Sequence, residues 1–454
     1  MSDSNGASSS ASRNEGLFSK EYRLLSCSLV AMTALVAFEA LAVATAMPVI
    51  ADRLSGLGLY ALAYAGPMAA SVVGMAAAGW LSDARGPRPV FLIGTIGFAA
   101  GLLIAGMAPT MSVLVAGRVV QGIGGGAISV VVYVIVARAY PETLRPGVFA
   151  LFSAGWVVPS LLGPAASGLI VSTLGWRWLF LLIPALVVPV AWVINGALRH
   201  VAHDRQPFAR PRQLGWALVA ALAVGLVHAA AHSHRTAHWL GLIVGLAGLI
   251  LIAPRLLPRG TLTLHQGLPR VIAVRMIIGA AFFASEAFIP LLLENEHGLP
   301  PALTGIALSL GAGGWFVGAW LQGRPRLAGF RLPVMGLTAM GAGLAVICGS
   351  QMAWASIPPI LIGWALVGLG MGLGYASLSV LTLALTPAEA QGSTGATLKQ
   401  ADALSIALAL SVGGTAITWL PDGDPTIYAL CFGFTFLLAC SGASIAARLP
   451  RANT

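Results

Sequence analysis

The sequence predicts an all-α integral membrane protein of fourteen transmembrane helices with both termini inside, and three observations carry that prediction. Hydrophobic residues make up 57% of the 454 residues and charged residues only 9%, whereas an ordinary soluble domain carries about 25% charge. Apolar runs long enough to cross a bilayer recur along the whole chain, a core about 30 Å thick needing roughly 20 helical residues. The 25 Lys and Arg residues gather on one side of those runs. A soluble enzyme and a nucleic-acid-binding protein are thereby excluded. The formal charge of +10 marks sidedness rather than a basic docking surface.

The runs span residues 24–50, 57–81, 89–108, 111–139, 147–173, 177–198, 213–231, 238–254, 271–293, 304–322, 332–351, 354–384, 392–420 and 426–447. The eighth is short for a crossing. None shows the strict alternation of a membrane barrel, so each is expected to be a helix. The first 23 residues are polar and rich in Ser and Gly, and are predicted to be disordered. They lack the charged start and cleavage site of a signal peptide, so the first helix is expected to stay in place as a span.

Cytoplasmic loops retain Lys and Arg. With the N-terminus inside, the inner segments hold 19 basic residues: Arg13, Lys20, Arg23, Arg85, Arg88, Arg138, Arg145, Arg199, Arg205, Arg210, Arg212, Arg255, Arg259, Arg270, Arg324, Arg326, Arg331, Arg448 and Arg451. The outer loops hold only Arg53, Arg177 and Arg235, together with Glu294, Glu296, Asp422 and Asp424. A single missed span would invert this bias downstream, so an even count follows. Cys27, Cys348, Cys431 and Cys440 lie in apolar runs without metal-binding spacing and are expected to be buried packing thiols.

The chain repeats itself. Gly117, Gly122, Gly124 and Gly126 of the fourth span recur as Gly363, Gly368, Gly370 and Gly372 of the twelfth at an offset of 246. Glu39 of the first span recurs as Glu286 of the ninth at an offset of 247. Spans 1–6 thus match spans 9–14 in parallel orientation, as expected for two bundles around a central path. The predicted organisation is a tail at 1–23, a six-helix bundle at 24–198, loops and two inserted helices at 199–270, a second six-helix bundle at 271–448 and a tail at 449–454. The glycines resemble a dinucleotide fingerprint, but no strand precedes them. Close helix packing is the better explanation, supported by GxxxG at Gly314–Gly318 and Gly370–Gly374.

At this point the sequence resembles the major facilitator superfamily, and within it the 14-helix drug:proton antiporter branch. The loop after span 2, GWLSDARGPRP, resembles motif A with Gly79, Asp83, Arg85, Gly86 and Arg88 in place. An acid among arginines at a cytoplasmic turn can latch neighbouring helices in one conformation and release them in another. In the second half Gly323 stands near the position of Asp83, so such a latch is one-sided. Span 4, with Arg118, Gln121, Gly122 and Gly126, resembles motif B. Span 5, with Gly155, Pro159, Gly163, Pro164 and Gly168, resembles motif C, the antiporter motif, which implies export. The WRW at 176–178 suits an interfacial belt.

Six ionisable residues lie inside spans: Glu39, Arg118, Arg275, Glu286, Lys399 and Asp402. A membrane-embedded charge costs from roughly 3 to more than 10 kcal/mol, so each needs a cavity or a partner. Glu39 lies about 22 Å along span 1, too deep to reach water easily. It is the first candidate for a proton carrier, with Arg118 either its coupling partner, as the resemblance implies, or one member of a structural ion pair. The branch's DxT pattern is replaced here by Glu39, Ala40 and Leu41. Glu286 is open to three roles: a second proton site, a contact for a cationic substrate, or a protonated structural carboxyl. Lys399 and Asp402 are i, i+3 neighbours, a candidate gating or coupling pair that otherwise neutralises itself. Arg275 is expected to snorkel to the inner surface. Trp156, Trp315, Trp364, Phe282 and Phe283 offer an adaptable apolar lining.

The sequence therefore predicts a non-enzymatic, proton-coupled exporter of small amphipathic or cationic compounds, working by alternating access in a bacterial plasma membrane as a monomer. The alternative is an exporter or symporter of an endogenous metabolite or lipid. No catalytic metal or nucleophile motif is present, and without a Walker loop the energy source is expected to be the proton gradient, with no cofactor and no nucleic-acid partner.

Overall fold

The computed structural model describes residues 16–141, 143–200, 212–231, 235–324, 331–353, 356–387, 391–420, 424 and 426–449. Arg13, Arg205, Arg210, Arg326, Asp422 and Arg451 lie outside the described residues, as do most of the two tails. The described residues form helices α1 (Arg23–Arg53), α2 (Tyr60–Arg85), α3 (Pro87–Gly106), α4 (Met111–Ala139), α5 (Arg145–Thr173), α6 (Arg177–Ala197), α7 (Arg212–Ala231), α8 (Arg235–Leu256), α9 (Leu268–Asn295), α10 (Pro301–Gln322), α11 (Leu332–Ala353), α12 (Ile357–Ala384), α13 (Gln391–Gly413), α14 (Thr415–Trp419) and α15 (Thr426–Ala446). They give 14 membrane spans, α13 and α14 sharing one that is interrupted at Gly414. The eighth run, short in the sequence, extends to a 22-residue helix and is long enough to cross.

Local chemistry sets the ends. Prolines open α3, α5, α9 and α10 in their first turns, where a missing N–H costs no helical bond. Thr110 caps α4 by accepting from the Val113 amide. Gly86, at φ +85°, turns the chain from α2 into α3, a conformation that a side chain would strain.

Within a membrane, helices associate through close packing and polar contacts rather than by a hydrophobic drive. Glycines supply the closeness on two faces of α4. A Cβ at Gly122 or Gly126 would lie 2.3 or 2.1 Å from the carbonyl oxygens of Pro67 or Ser71 on α2. On the other face, one at Gly124 would lie 2.2 Å from the Phe98 amide of α3. The same arrangement holds α12 between α10 and α11: Gly368 and Gly372 press on Gly311 and Trp315, and Gly370 presses on Gly336. The duplication read in the sequence is thus a duplication of helix contacts. Across the two sets, α5 packs on α10 and α2 on α13, and α7 lies against α2 and α13 with α8 outside it. The outward faces carry large exposed apolar residues such as Trp192, Leu222, Leu251 and Leu437, as a lipid-facing surface requires.

Three expectations are corrected here. Part of the segment taken as disordered, Gly16 to Tyr22, is folded into turns: the Leu17 carbonyl accepts from Ser26, and Tyr22 stacks on Tyr140 at 5.1 Å. Of the four cysteines only Cys431 is fully buried; Cys27 and Cys440 are exposed. Trp176 is buried against Phe180 and beneath Arg177, leaving Trp178 alone as a belt residue.

Candidate functional site

The first cluster forms where α1, α2 and α4 meet. Arg118 and Glu39 are both buried and form an ion pair through Nη1 and Oε1. The same Nη1 donates to Gln121 Oε1 at 2.9 Å, and Nε donates to the Ala63 carbonyl of α2 at 3.2 Å. That carbonyl is available for a local reason. Its helical donor would be residue 67, and Pro67 has no N–H. Gly122 brings α4 close enough to α2 for the guanidinium to take the freed carbonyl. Pro48 in α1 likewise frees the Ala44 carbonyl, and the Tyr64 hydroxyl donates to it at 3.3 Å. The charge pair is therefore held by sequence features that elsewhere break helices.

The second cluster, on α9, α10 and α12, is built differently. Glu286 is half-buried and makes no hydrogen bond or ion pair among the described residues; Tyr64 lies within its electrostatic reach. At an offset of 246 from Arg118 stands Trp364, fully buried, whose Nε1 donates to the Leu308 carbonyl of α10 at 3.2 Å. This repeats the bond of Arg118 to α2 without its charge. Phe282 stacks on Trp364 at 5.3 Å and meets Trp315 edge-on at 5.2 Å; Phe283 and Tyr375 flank Trp315 at 6.2 Å. A carboxylate with no ion-pair partner among the described residues thus stands one helical turn along α9 from Phe282 and Phe283, two members of a group of five aromatic rings.

The third cluster corrects two expectations. Arg275 does not snorkel; it is buried and pairs through Nη2 with Asp402 Oδ2 at 3.0 Å. Its Nη1 donates to Ser379 Oγ, and its guanidinium lies 3.8 Å from the Tyr375 ring centre. The Tyr375 hydroxyl donates to the same Asp402 oxygen at 2.6 Å. Lys399 and Asp402 therefore do not neutralise each other. Asp402 turns towards α9 and α12, while Lys399 reaches to 5.9 Å from the Trp156 ring of α5. Although three residues apart on one face of α13, the two side chains extend to different neighbours.

The motif residues fall at the two ends of the path. Gly155 and Gly163 of α5 face Val30 and Phe38 of α1, and Ser167 Oγ donates to the Ala42 carbonyl at 2.6 Å. Gly168 meets α10: a Cβ there would lie 2.3 Å from the Pro301 oxygen. In return, a Cβ at Gly305 of α10 would lie 2.1 Å from the Pro164 oxygen. Tyr60 of α2 donates to the Ala287 carbonyl of α9 at 2.6 Å, and Gly414 abuts Ala61. The contacts of α5 with α10 involve the C-terminal part of α5 and the first turns of α10, and Pro159 lies nearer the middle of α5. At the inner end Asp83 and Arg85 are exposed and form no ion pair among the described residues, and Arg88 donates to Asn195 Oδ1 at 2.9 Å, tying α3 to α6. A Cβ at Gly79 would meet open space.

Sequence reasoning missed Tyr60, Tyr64, Tyr375 and Gly305. Pro48, four residues beyond Ala44, is the available signal for one of them, the bond of Tyr64.

A sequence model of the Major Facilitator Superfamily matches residues 29–410. Multidrug resistance protein 3 of Bacillus subtilis (strain 168) is 27% identical over 297 residues, 62% of this chain and 57% of that protein. The chain thus spans a little over half the length of that relative. A probable multidrug-efflux transporter of Mycobacterium tuberculosis (strain ATCC 25618 / H37Rv) is 26% identical over 411 residues, 86% of each. Among solved structures, a D-xylose-proton symporter superposes with a TM-score of 0.65 at 15% identity, covering 95% of this chain and 99% of that one. An auto-inhibited POT family peptide transporter gives 0.66 at 15% identity, covering 94% and 98%. At such identities the likeness is one of fold.

Proposed function

The chain belongs to the major facilitator superfamily, a class of transporters and not of enzymes, and from that premise we propose that it exports small amphipathic or cationic compounds in exchange for protons across a bacterial plasma membrane. The observation that carries this reading is Glu286: a membrane-embedded carboxylate with no ion-pair partner among the described residues, one helical turn along α9 from Phe282 and Phe283, whose rings meet Trp315. A bare charge at that depth costs several kcal/mol unless something neutralises it. A proton does so, and so does a cationic substrate whose flat apolar body stacks on the aromatic column. The two ligands exclude each other at one carboxylate. A carrier that changes state only when this site is neutral therefore moves one outwards for the other inwards.

Glu39 adds a second control. Paired with Arg118 it is neutralised without any ligand. Protonation removes its charge and leaves Arg118 with Gln121 and the Ala63 carbonyl, so the tie between α1 and α4 loosens. The close fit of α5 on α10 at the outer ends and the unlatched Asp83 at the inner end favour a state open to the cytoplasm, in which an exporter loads its cargo. The names of the two multidrug relatives support a broad substrate range.

Everted membrane vesicles test the reading. An imposed proton gradient is expected to drive uptake of a lipophilic cation such as ethidium. Glu286→Gln is expected to abolish that uptake, and Glu39→Gln to uncouple it from the gradient while ethidium binding persists. Gradient-driven ethidium uptake that survives Glu286→Gln unchanged would overturn the assignment.

A further inference from the structure

The ion pair of Arg275 and Asp402 has no part in the scheme above, yet it is built like a titrating site. Both residues are nine-tenths or more buried. Asp402 gives one oxygen, Oδ2, to both Arg275 and Tyr375. Its other oxygen, Oδ1, is buried without a hydrogen-bond partner among the described residues, and so is Nε of Arg275. Buried polar atoms are nearly always satisfied, and an unsatisfied one needs a reason. An ion pair serving only to join α9 to α13 would use both oxygens, as bidentate arginine–carboxylate pairs do. Here the free Oδ1 is the atom that a proton would occupy, while the Arg275 contact to Oδ2 remains.

The groups facing Asp402 are Arg275 on α9, Tyr375 on α12 with Ser379 beside Arg275, and Lys399 one turn away on its own helix. Tyr133 of α4, from the opposite half, lies within electrostatic reach of Arg275 and Tyr375. The residues described on α2, α7, α8, α14 and α15, which also pack on α13, form no ion pair with Asp402. The helix is also well placed to report its charge state. It packs on α2 across the interface between halves, and its Lys399 reaches Trp156 on α5, the helix that closes the outer end.

We propose that Asp402 is a further proton carrier beside Glu39 and Glu286, exchanged against Arg275 in the C-terminal half as Glu39 is against Arg118 in the N-terminal half. The step is a simple protonation: a proton from the outer side adds to Oδ1, the Arg275–Asp402 attraction falls, and α13 is released from α9. After the change of state the carboxyl gives the proton to the cytoplasm and the pair re-forms. Each cycle then carries one more proton per substrate than Glu39 and Glu286 supply. This rests on the reading of the chain as a proton-coupled exporter.

The test is transport stoichiometry with purified protein in liposomes. At fixed membrane potential, the logarithm of the ethidium ratio reached at steady state rises with the pH difference, with a slope equal to the protons moved per ethidium. Asp402→Asn alone would leave Arg275 as an unpaired buried charge, so the informative variant is Arg275→Gln with Asp402→Asn, which removes both charges together. The wild type is expected to give a slope of about two or more, and the double variant a slope lower by about one. A wild-type slope of one overturns the proposal, needing no variant to fold. An unchanged slope in the double variant also overturns it. A wild-type slope of zero refutes the exporter reading itself, which separates the two failures.

Discussion

The two halves of this protein share a backbone plan and differ in what they place on it. In the N-terminal half, α4 presses on α2 through Gly122 and Gly126 and sends Arg118 to the Ala63 carbonyl and to Glu39. In the C-terminal half, α12 presses on α10 through Gly368 and Gly372 and sends Trp364 to the Leu308 carbonyl, leaving Glu286 without a cation. Glu39 is balanced within its own half by Arg118, whereas its counterpart Glu286 makes no ion pair among the described residues. On the function proposed above, that asymmetry is what leaves a charge for a cationic substrate to satisfy, which a second Arg–Glu pair would not.

The sharpest way to break the comparison is to make the halves alike. Trp364→Arg puts a guanidinium where Arg118 stands in the repeat, beside Glu286. It is expected to pair with Glu286 and lower affinity for monovalent lipophilic cations on the order of a hundredfold, roughly 3 kcal/mol for an ion pair and a stacking face lost together. Binding of uncharged compounds should fall far less. Fluorescence titration with ethidium against a neutral dye checks this; an equal loss for both would mean that Trp364 acts only through packing. Adding Glu286→Gln to that variant should lower ethidium affinity little further.

A smaller effect tests the shared plan. A Cβ at Gly126 would lie 2.1 Å from the Ser71 oxygen, and one at Gly372 2.1 Å from the Trp315 oxygen. Gly126→Ala and Gly372→Ala should each cost about 1–3 kcal/mol by forcing helices apart, with similar drops in thermal stability in detergent. Their transport defects should differ: the first disturbs gradient coupling through Arg118, the second substrate affinity through Trp364. Identical transport defects would argue against separate duties for the two halves.

Much of this was legible before any coordinates, and the part that was not has a common cause. The spans and the glycine repeat follow from composition and spacing, which depend on depth along a helix. Glu39 and Arg118 are linked in the sequence by the family resemblance, which implies a role for Arg118 with an acid of span 1. Arg275 and Asp402 escaped because depth does not reveal rotation: Lys399 and Asp402 stand three residues apart, yet one turns to α5 and the other to α9. Trp364 could not be read as the counterpart of Arg118 by residue type, since the repeat conserves the bond to a neighbouring carbonyl and not the side chain that makes it.

The smallest predicted effect probes why the N-terminal half needs polar side chains at these carbonyls. Pro48 deprives the Ala44 carbonyl of its helical donor, and Tyr64 supplies a replacement. Tyr64→Phe should therefore cost about 1 kcal/mol of stability. Pro48→Ala restores an amide donor, so the same tyrosine change made in that background should cost less, a coupling of roughly 0.5–1 kcal/mol in a double-mutant cycle read by thermal unfolding. Additive losses would mean that the hydroxyl is not standing in for the missing amide. In α10 no proline follows Leu308 by four residues, since Ala312 occupies that position. The Trp364 bond there is an addition to the helix rather than a repair of it. If the cycle shows the expected coupling, the charged half differs from the aromatic half in its backbone as well as in its side chains: its prolines create the vacant acceptors that hold Arg118 and Tyr64 in place.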